Sequence, residues 1–158
     1  MFAFAVGLVT SPAHVRADDC GRAPELLETA GKSSDSERLP LLEAAYAACP
    51  TSHAAAYALG IALVRGQPDR ASRLLEQAAT AKEDPRYLSS LGQLLMNKGL
   101  ADRARPMLRR AAELDPADAA ARGMLGLDAQ RSGDYRTAIE LRGRAAELAP
   151  REPVTHLN

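Results

Sequence analysis

Between residues 85 and 152, small and apolar residues recur twice in one order, without a gap. Pro85–Asp118 carries Leu91-Gly92, Gly99, Ala104, Leu108 and the closing run Ala111-Ala112-Glu113-Leu114-Asp115-Pro116. Ala119–Glu152 carries Leu125-Gly126, Gly133, Ala138 and Ala145-Ala146-Glu147-Leu148-Ala149-Pro150. The offset is 34 residues. A period of this length marks stacked supersecondary units, none able to bury its apolar face alone. Each unit reads as two helices. Gly99 and Gly133 end the first helix, as expected of a left-handed cap position. Pro116 and Pro150 stop the second. Gly92 and Gly126 stand mid-helix, where glycine costs up to about 1 kcal/mol against alanine. That cost is tolerable where a second helix approaches the backbone, and Ala104 and Ala138 are the small residues facing the approach.

Upstream the pattern loosens. His53–Asp84 holds Leu59-Gly60, Ala71, Leu75 and Ala78, but aligns only with a residue deleted before Gly66 and another near Lys82-Glu83. It reads as a unit of 32 residues with a shortened turn. Before Pro50 only a remnant survives. Helices are expected over about Ala23–Ala30 and Glu37–Cys49, joined by a polar, flexible linker at Gly31–Asp35. Pro40 corresponds to Pro106. With Ser36 and Asp102 as N-caps, each proline falls at the fourth helical residue, whose amide has no intrahelical partner to lose. The expected divisions are thus 18–52, 53–84, 85–118 and 119–152, with a tail at 153–158.

This pattern resembles the tetratricopeptide repeat (TPR) over about Arg22–Glu152. The resemblance rests on the Leu-Gly pairs, the small residue ending the first helix, the alanines of the second helix and the terminal proline. It implies an all-α, right-handed α-solenoid of antiparallel helix pairs, about four units with the first degenerate. First helices would line a concave groove and second helices a convex back. The residues that this implies face the groove are Ala54, Tyr57, Ile61, Val64 and Arg65, then Arg86, Ser89, Gln93, Met96 and Asn97, then Ala120, Gly123, Leu127, Gln130 and Arg131. Among them Tyr57, Ile61 and Leu127 would take apolar anchors from a helix or an extended peptide. Arg65, Arg86 and Arg131 would hold carboxylates or carbonyls, with Gln93 and Asn97 beside them. Tyr57, Ile61 and Leu127 fit equally well as packing residues between units. Some TPR domains clamp a peptide C-terminal carboxylate with basic and Asn side chains. Of those slots this chain fills only the one at Arg86, so that mode is not expected.

Composition narrows the packing. Apolar residues make up 46% of the chain but aromatics only 4%, with no Trp, so helices must approach closely through Ala and Leu. The charges balance at 20 basic and 20 acidic residues, and no segment gathers five like charges. Nucleic-acid binding through a basic face is not expected, since phosphate contacts supply most of that affinity. The N-terminal run Met1–Val9 is too short to span a bilayer. It suits the apolar core of a signal peptide over residues 1–17, although no basic residue precedes it. Cleavage after Ala17 would make the protein periplasmic or secreted. The cysteine pair fits that compartment. Cys20 precedes the first expected helix and Cys49 ends the second, and an antiparallel hairpin brings those ends together. A bridge closing 28 intervening residues contributes about 3–4 kcal/mol in the chain-entropy model; the alternative is two buried free thiols.

No constellation points to catalysis. Gly31-Lys32-Ser33 looks like the end of a phosphate loop, but Leu26 stands where that motif needs glycine. His14, His53 and His156 are scattered, and no Cys/His cluster has metal-ligand spacing. Glu113 and Glu147 recur on what reads as a solvated face. The expectation is a non-enzymatic, cofactor-free, exported adaptor in a bacterial envelope, with another protein or peptide in its groove. A homodimer through an uncapped C-terminal end is a further expectation. The alternative is a truncated piece of a larger TPR-containing protein whose missing region carries the activity.

Overall fold

The computed structural model describes residues 20–148. The segment expected to be a signal peptide, 1–17, Pro150 and the tail 153–158 lie outside them. Eight helices follow one another, with no strand among the described residues: α1 (Ala23–Lys32), α2 (Asp35–Ala48), α3 (His53–Leu63), α4 (Pro68–Ala81), α5 (Pro85–Asn97), α6 (Ala101–Leu114), α7 (Ala119–Arg131) and α8 (Tyr135–Leu148). Each helix packs on its chain neighbours, and first helices also touch across units, α1 with α3 and α5 with α7. No described helix is long and apolar enough to cross a membrane.

The helix pairs close where the chain has no side chain to interpose. A Cβ at Gly92 would stand 2.6 Å from Leu108 Cγ, and one at Gly126 would stand 2.6 Å from Arg142 Cγ. At Gly60 the nearest atoms, on Leu75, lie at 3.0 Å. These are the contacts through which α4, α6 and α8 seat on α3, α5 and α7. Leu59, Leu75 and Leu108 are the largest fully buried side chains, and Ala71, Ala104 and Ala111 are fully buried beside them. Gly99 and Gly133 adopt φ of 76° and 84°, the left-handed turn expected after α5 and α7. Gly66 does not share that conformation, because α3 stops at Leu63 and the shorter turn closes through Val64 N–H to Ile61 C=O at 3.3 Å.

Polar side-chain caps start α3, α5 and α7. Ser52 accepts from Ala55 N, Asp84 from Arg86 N and Asp118 from Ala121 N, at 3.2, 3.0 and 2.8 Å. Each supplies an acceptor to an otherwise orphaned amide.

Two expectations about the second helices need correction. α2 begins at Asp35 after Ser34, and α6 at Ala101 after Leu100, so Pro40 and Pro106 are the sixth helical residues rather than the fourth. Each therefore removes a helix hydrogen bond, from the carbonyls of Ser36 and Asp102. Both prolines are exposed, so water reaches the freed carbonyls. The early starts have local causes. Ser34 Oγ donates to Glu37 Oε2 at 2.8 Å, and Leu100 N–H donates back to Leu95 C=O at 2.9 Å, which feeds the chain directly into α6. The flexible linker is also absent. α1 continues through Gly31 to Lys32, and Ser33-Ser34 alone joins it to α2. Arg38 fastens this joint by donating to Ala30 C=O at 3.3 Å and Ser33 C=O at 3.2 Å.

The Cys20–Cys49 disulfide ties the start of α1 to the end of α2, with the two Cα atoms 4.6 Å apart. A second bracing system ties each second helix to the second helix before it, or to the loop that follows that helix. Arg70 pairs with Glu43, Arg103 with Glu76 and Arg110 with Glu83, at 2.6, 2.8 and 2.7 Å. Every partner lies 27 residues earlier in the chain.

Candidate functional site

The first helices meet along one face, and two adjoining cavities open there. The first, about 440 Å³, lies between α3 and α5 and is lined by Ile61, Ala62, Val64, Arg65, Ser90, Gln93, Leu94 and Asn97. The second, about 360 Å³, lies between α1, α2 and α3, with Leu27, Leu42, Ala54, Tyr57 and Ile61 on its walls. Ile61 is common to both. It is 42% exposed, unusual for an isoleucine in a helix this well packed, because neither neighbouring helix closes over it.

The two cavities differ in chemistry. The α1–α3 cavity is walled by Leu, Ala, Tyr and Ile side chains, with Arg38 as its charged lining residue. The α3–α5 cavity carries a guanidinium and two carboxamides. Among the described residues no ion pair or hydrogen bond engages the Arg65 side chain, which sits exposed in the turn after α3. Gln93 Nε2 donates to Ser89 Oγ at 3.1 Å, leaving its carbonyl oxygen for a ligand. Tyr57 bridges the two regions. Its ring lies 4.4 Å from that of Tyr87, and its hydroxyl shares a 3.3 Å hydrogen bond with Ser90 Oγ. His53 Nδ1 reaches the Tyr87 hydroxyl at 3.0 Å, so a polar-aromatic chain holds α3 against α5.

The remaining residues expected in the groove are dispersed. Arg86 faces back on its own helix start. Its Nε and Nη2 donate to Asp84 at 3.0 and 2.9 Å, and its guanidinium stands 5.9 Å from the Tyr87 ring centroid. The hydrogen bonds from Arg86 hold the Asp84 carboxyl below the usual carboxylate range, against the opposing effect of burial. Ser89 and Met96 are buried. Gly123 lies toward α8, where an added Cβ would touch Ala145 at 4.0 Å. Leu127 is half-buried on α7 and Arg131 is exposed at its end, and neither lines the two cavities. Ser90 and Leu94 were missed, as were Leu27 and Leu42 from the first unit. Ser90 follows the buried Ser89, so a shift of one residue along α5 separates core from groove. Leu27 belongs to a first helix without the Leu-Gly signature, and Leu42 to a second helix, which the repeat pattern assigns to the convex back rather than the groove.

A larger cavity, about 620 Å³, lies on the other side, over α5 and between α4 and α6. Its rim includes Glu76, Glu83 and Arg103. These charges are already paired, Glu76 with Arg103 and Glu83 with Arg110, so it is a braced seam between second helices.

No protein-family model and no curated relative matches the chain by sequence. Solved structures do. A structure of MamA AMB-1 superimposes at a TM-score of 0.68 and 29% identity, covering 85% of this chain and 74% of that one. YrrB, a TPR protein with an unusual peptide-binding site, gives 0.65 at 24% identity, covering 85% and 70%. A Thermobaculum terrenum O-GlcNAc transferase mutant gives 0.71 at 22% identity, but there this chain spans only 26% of the matched protein. The helix pairs, the glycine contacts and these likenesses agree: the chain has the fold of the tetratricopeptide-repeat proteins, an all-α solenoid.

Proposed function

We propose that this protein is an exported, non-catalytic adaptor of a bacterial cell envelope that holds another protein through the face lined by its first helices. The observation that carries this reading is the pair of adjoining cavities sharing Ile61, one apolar and one holding the unengaged Arg65 beside Gln93 and Asn97. An apolar anchor point next to a polar one is what a peptide needs to be held in a single register. The peptide-binding site of YrrB, a protein of the same fold, supports such a role. The Cys20–Cys49 bridge suits an oxidising compartment, periplasmic or extracellular.

Cross-linking mass spectrometry in cells tests the adaptor reading, with a Tyr57→Ala/Arg65→Ala/Asn97→Ala variant as control. The expected result is a recurrent partner whose cross-links disappear in the variant. Cross-links that persist unchanged would count against it. A fusion of residues 1–30 to a reporter active only outside the cytoplasm tests export separately.

A second reading concerns the other end. Tyr135 and Ile139 on α8 are 65% and 76% exposed, and Leu148 is 41% exposed. We propose that this face meets a second copy. Analytical ultracentrifugation then gives a dimer for the wild type and a monomer for Ile139→Asp; a monomer for both removes the idea.

A further inference from the structure

Charge is divided unequally between the two faces of this neutral chain. Over α3, the turn after it, α5 and α7, the charged side chains are Arg65, Arg86, Arg122, Arg131 and a single carboxylate, Asp128. That carboxylate faces away, accepting from Arg105 of α6 at 2.5 Å. Acidic residues of the second helices, such as Glu43 and Glu76, are spent on pairs between those helices. The α3, α5 and α7 part of the first-helix face therefore presents cations with no free carboxylate among its described residues; α1 adds Glu28, paired with its own Lys32, and Glu25 in its first turn. At its centre Arg65 lines the α3–α5 cavity without a partner.

The carboxamides add a second constraint. The Asn97 side chain has no hydrogen bond among the described residues, and Gln93 has a free carbonyl oxygen. A side-chain amide offers both a donor and an acceptor, which matches one peptide unit. A bound helix would have satisfied its own backbone groups internally, whereas an extended strand leaves them to be met by the receptor.

Resting on the groove reading above, we infer that the occupant is an acidic extended peptide. Its aliphatic side chain fills the cavity between Leu27, Leu42, Tyr57 and Ile61. A nearby Asp or Glu carboxylate meets Arg65, while Gln93 and Asn97 hold the intervening backbone. The site differs from a C-terminal carboxylate clamp, since Arg86 is closed by Asp84 and Arg65 needs only a side-chain carboxylate.

A random nine-residue peptide library, displayed on phage and selected on the disulfide-intact protein, tests this. Selections run on wild type, on Arg65→Glu and on Asn97→Trp, which fills the α3–α5 cavity. The Arg65 and Asn97 side chains are exposed and without partners among the described residues, so circular dichroism should show both variants folded. The expected result is enrichment of peptides that pair an aliphatic residue with Asp or Glu. Acidic preference should vanish on Arg65→Glu, and all enrichment on Asn97→Trp. Synthetic versions of the enriched peptides should bind about tenfold more weakly to Arg65→Gln, the effect of one charge-assisted hydrogen bond. They should also weaken as salt is raised. Enriched peptides that lose binding on Asn97→Trp but lack acidic residues would overturn the acidic assignment and leave the groove reading standing. Peptides whose binding is indifferent to Asn97→Trp, or no enrichment at all, would overturn both.

Discussion

Gly92 and Gly143 both sit inside helices, yet their surroundings make opposite demands. A Cβ at Gly92 would meet the buried Leu108 side chain at 2.6 Å, whereas one at Gly143 meets nothing within 4 Å. Alanine gains about 1 kcal/mol of helix propensity at either site, and overpacking a core costs about 1–3 kcal/mol. Chemical denaturation should therefore show Gly92→Ala destabilised by about 1 kcal/mol net and Gly143→Ala stabilised by about 0.5–1 kcal/mol. Asp84 supplies a second test. As the buried N-cap of α5 it accepts from the Arg86 backbone and guanidinium. Asp84→Ala should cost about 1–2 kcal/mol at neutral pH. Its folded pKa lies below its unfolded one, so this stabilisation is full above the ordinary carboxylate range and is lost as pH falls through the lowered value. The stability gap between wild type and Asp84→Asn should shrink below about pH 4; a gap independent of pH contradicts the pairing. Glycines of this kind were legible because steric exclusion leaves a mark on residue type. The pairing of Arg86 with Asp84 was not, since the same arginine at the same helical position reads equally well as a groove cation.

The helices differ in how they are held. α1 and α2 are joined by a covalent bridge, and their seam to α3 and α4 includes Arg70–Glu43 and Tyr46 Oη donating to Gln77 at 2.9 Å. Reduction should remove about 3–4 kcal/mol of stability in the chain-entropy model. Its local effect is the sharper prediction: hydrogen exchange should quicken in α1 and α2 while α5 and α6 stay protected. Uniform quickening would mean the whole solenoid depends on the bridge. At this scale the sequence misled in two places. Pro40 and Pro106 were placed by analogy with each other, which preserved a common offset and so hid a shared error of two residues. The linker at Gly31–Asp35 looked flexible from its composition, but Arg38 reaches back to hold it closed. The braces between second helices left a readable signal that went unused. Glu43 and Glu76 are spaced 33 apart, as are Arg70 and Arg103, so one pairing recurs in successive units.

Across the whole molecule the two faces use their polar groups differently. The second helices spend many of their charges on pairs with neighbouring segments, each exposed pair contributing at most about 1 kcal/mol. The first helices keep Arg65 and the carboxamides uncommitted beside an apolar cavity. The solenoid itself was legible from two well-matched units, because a 34-residue repeat admits few architectures. The position of the groove within it was only partly so. Ile61, Arg65, Gln93 and Asn97 come together, but the apolar cavity depends on the first unit, whose pattern is the weakest in the chain. The most direct measurement places a photo-activatable amino acid at Gln93 or Asn97 in the groove, and at Arg109 or Glu113 on the second-helix face, in living cells. The groove positions should yield a discrete adduct with one partner, and the second-helix positions none. Adducts from Arg109 and Glu113 with Gln93 and Asn97 silent would contradict the assignment of the first-helix face as the site of binding.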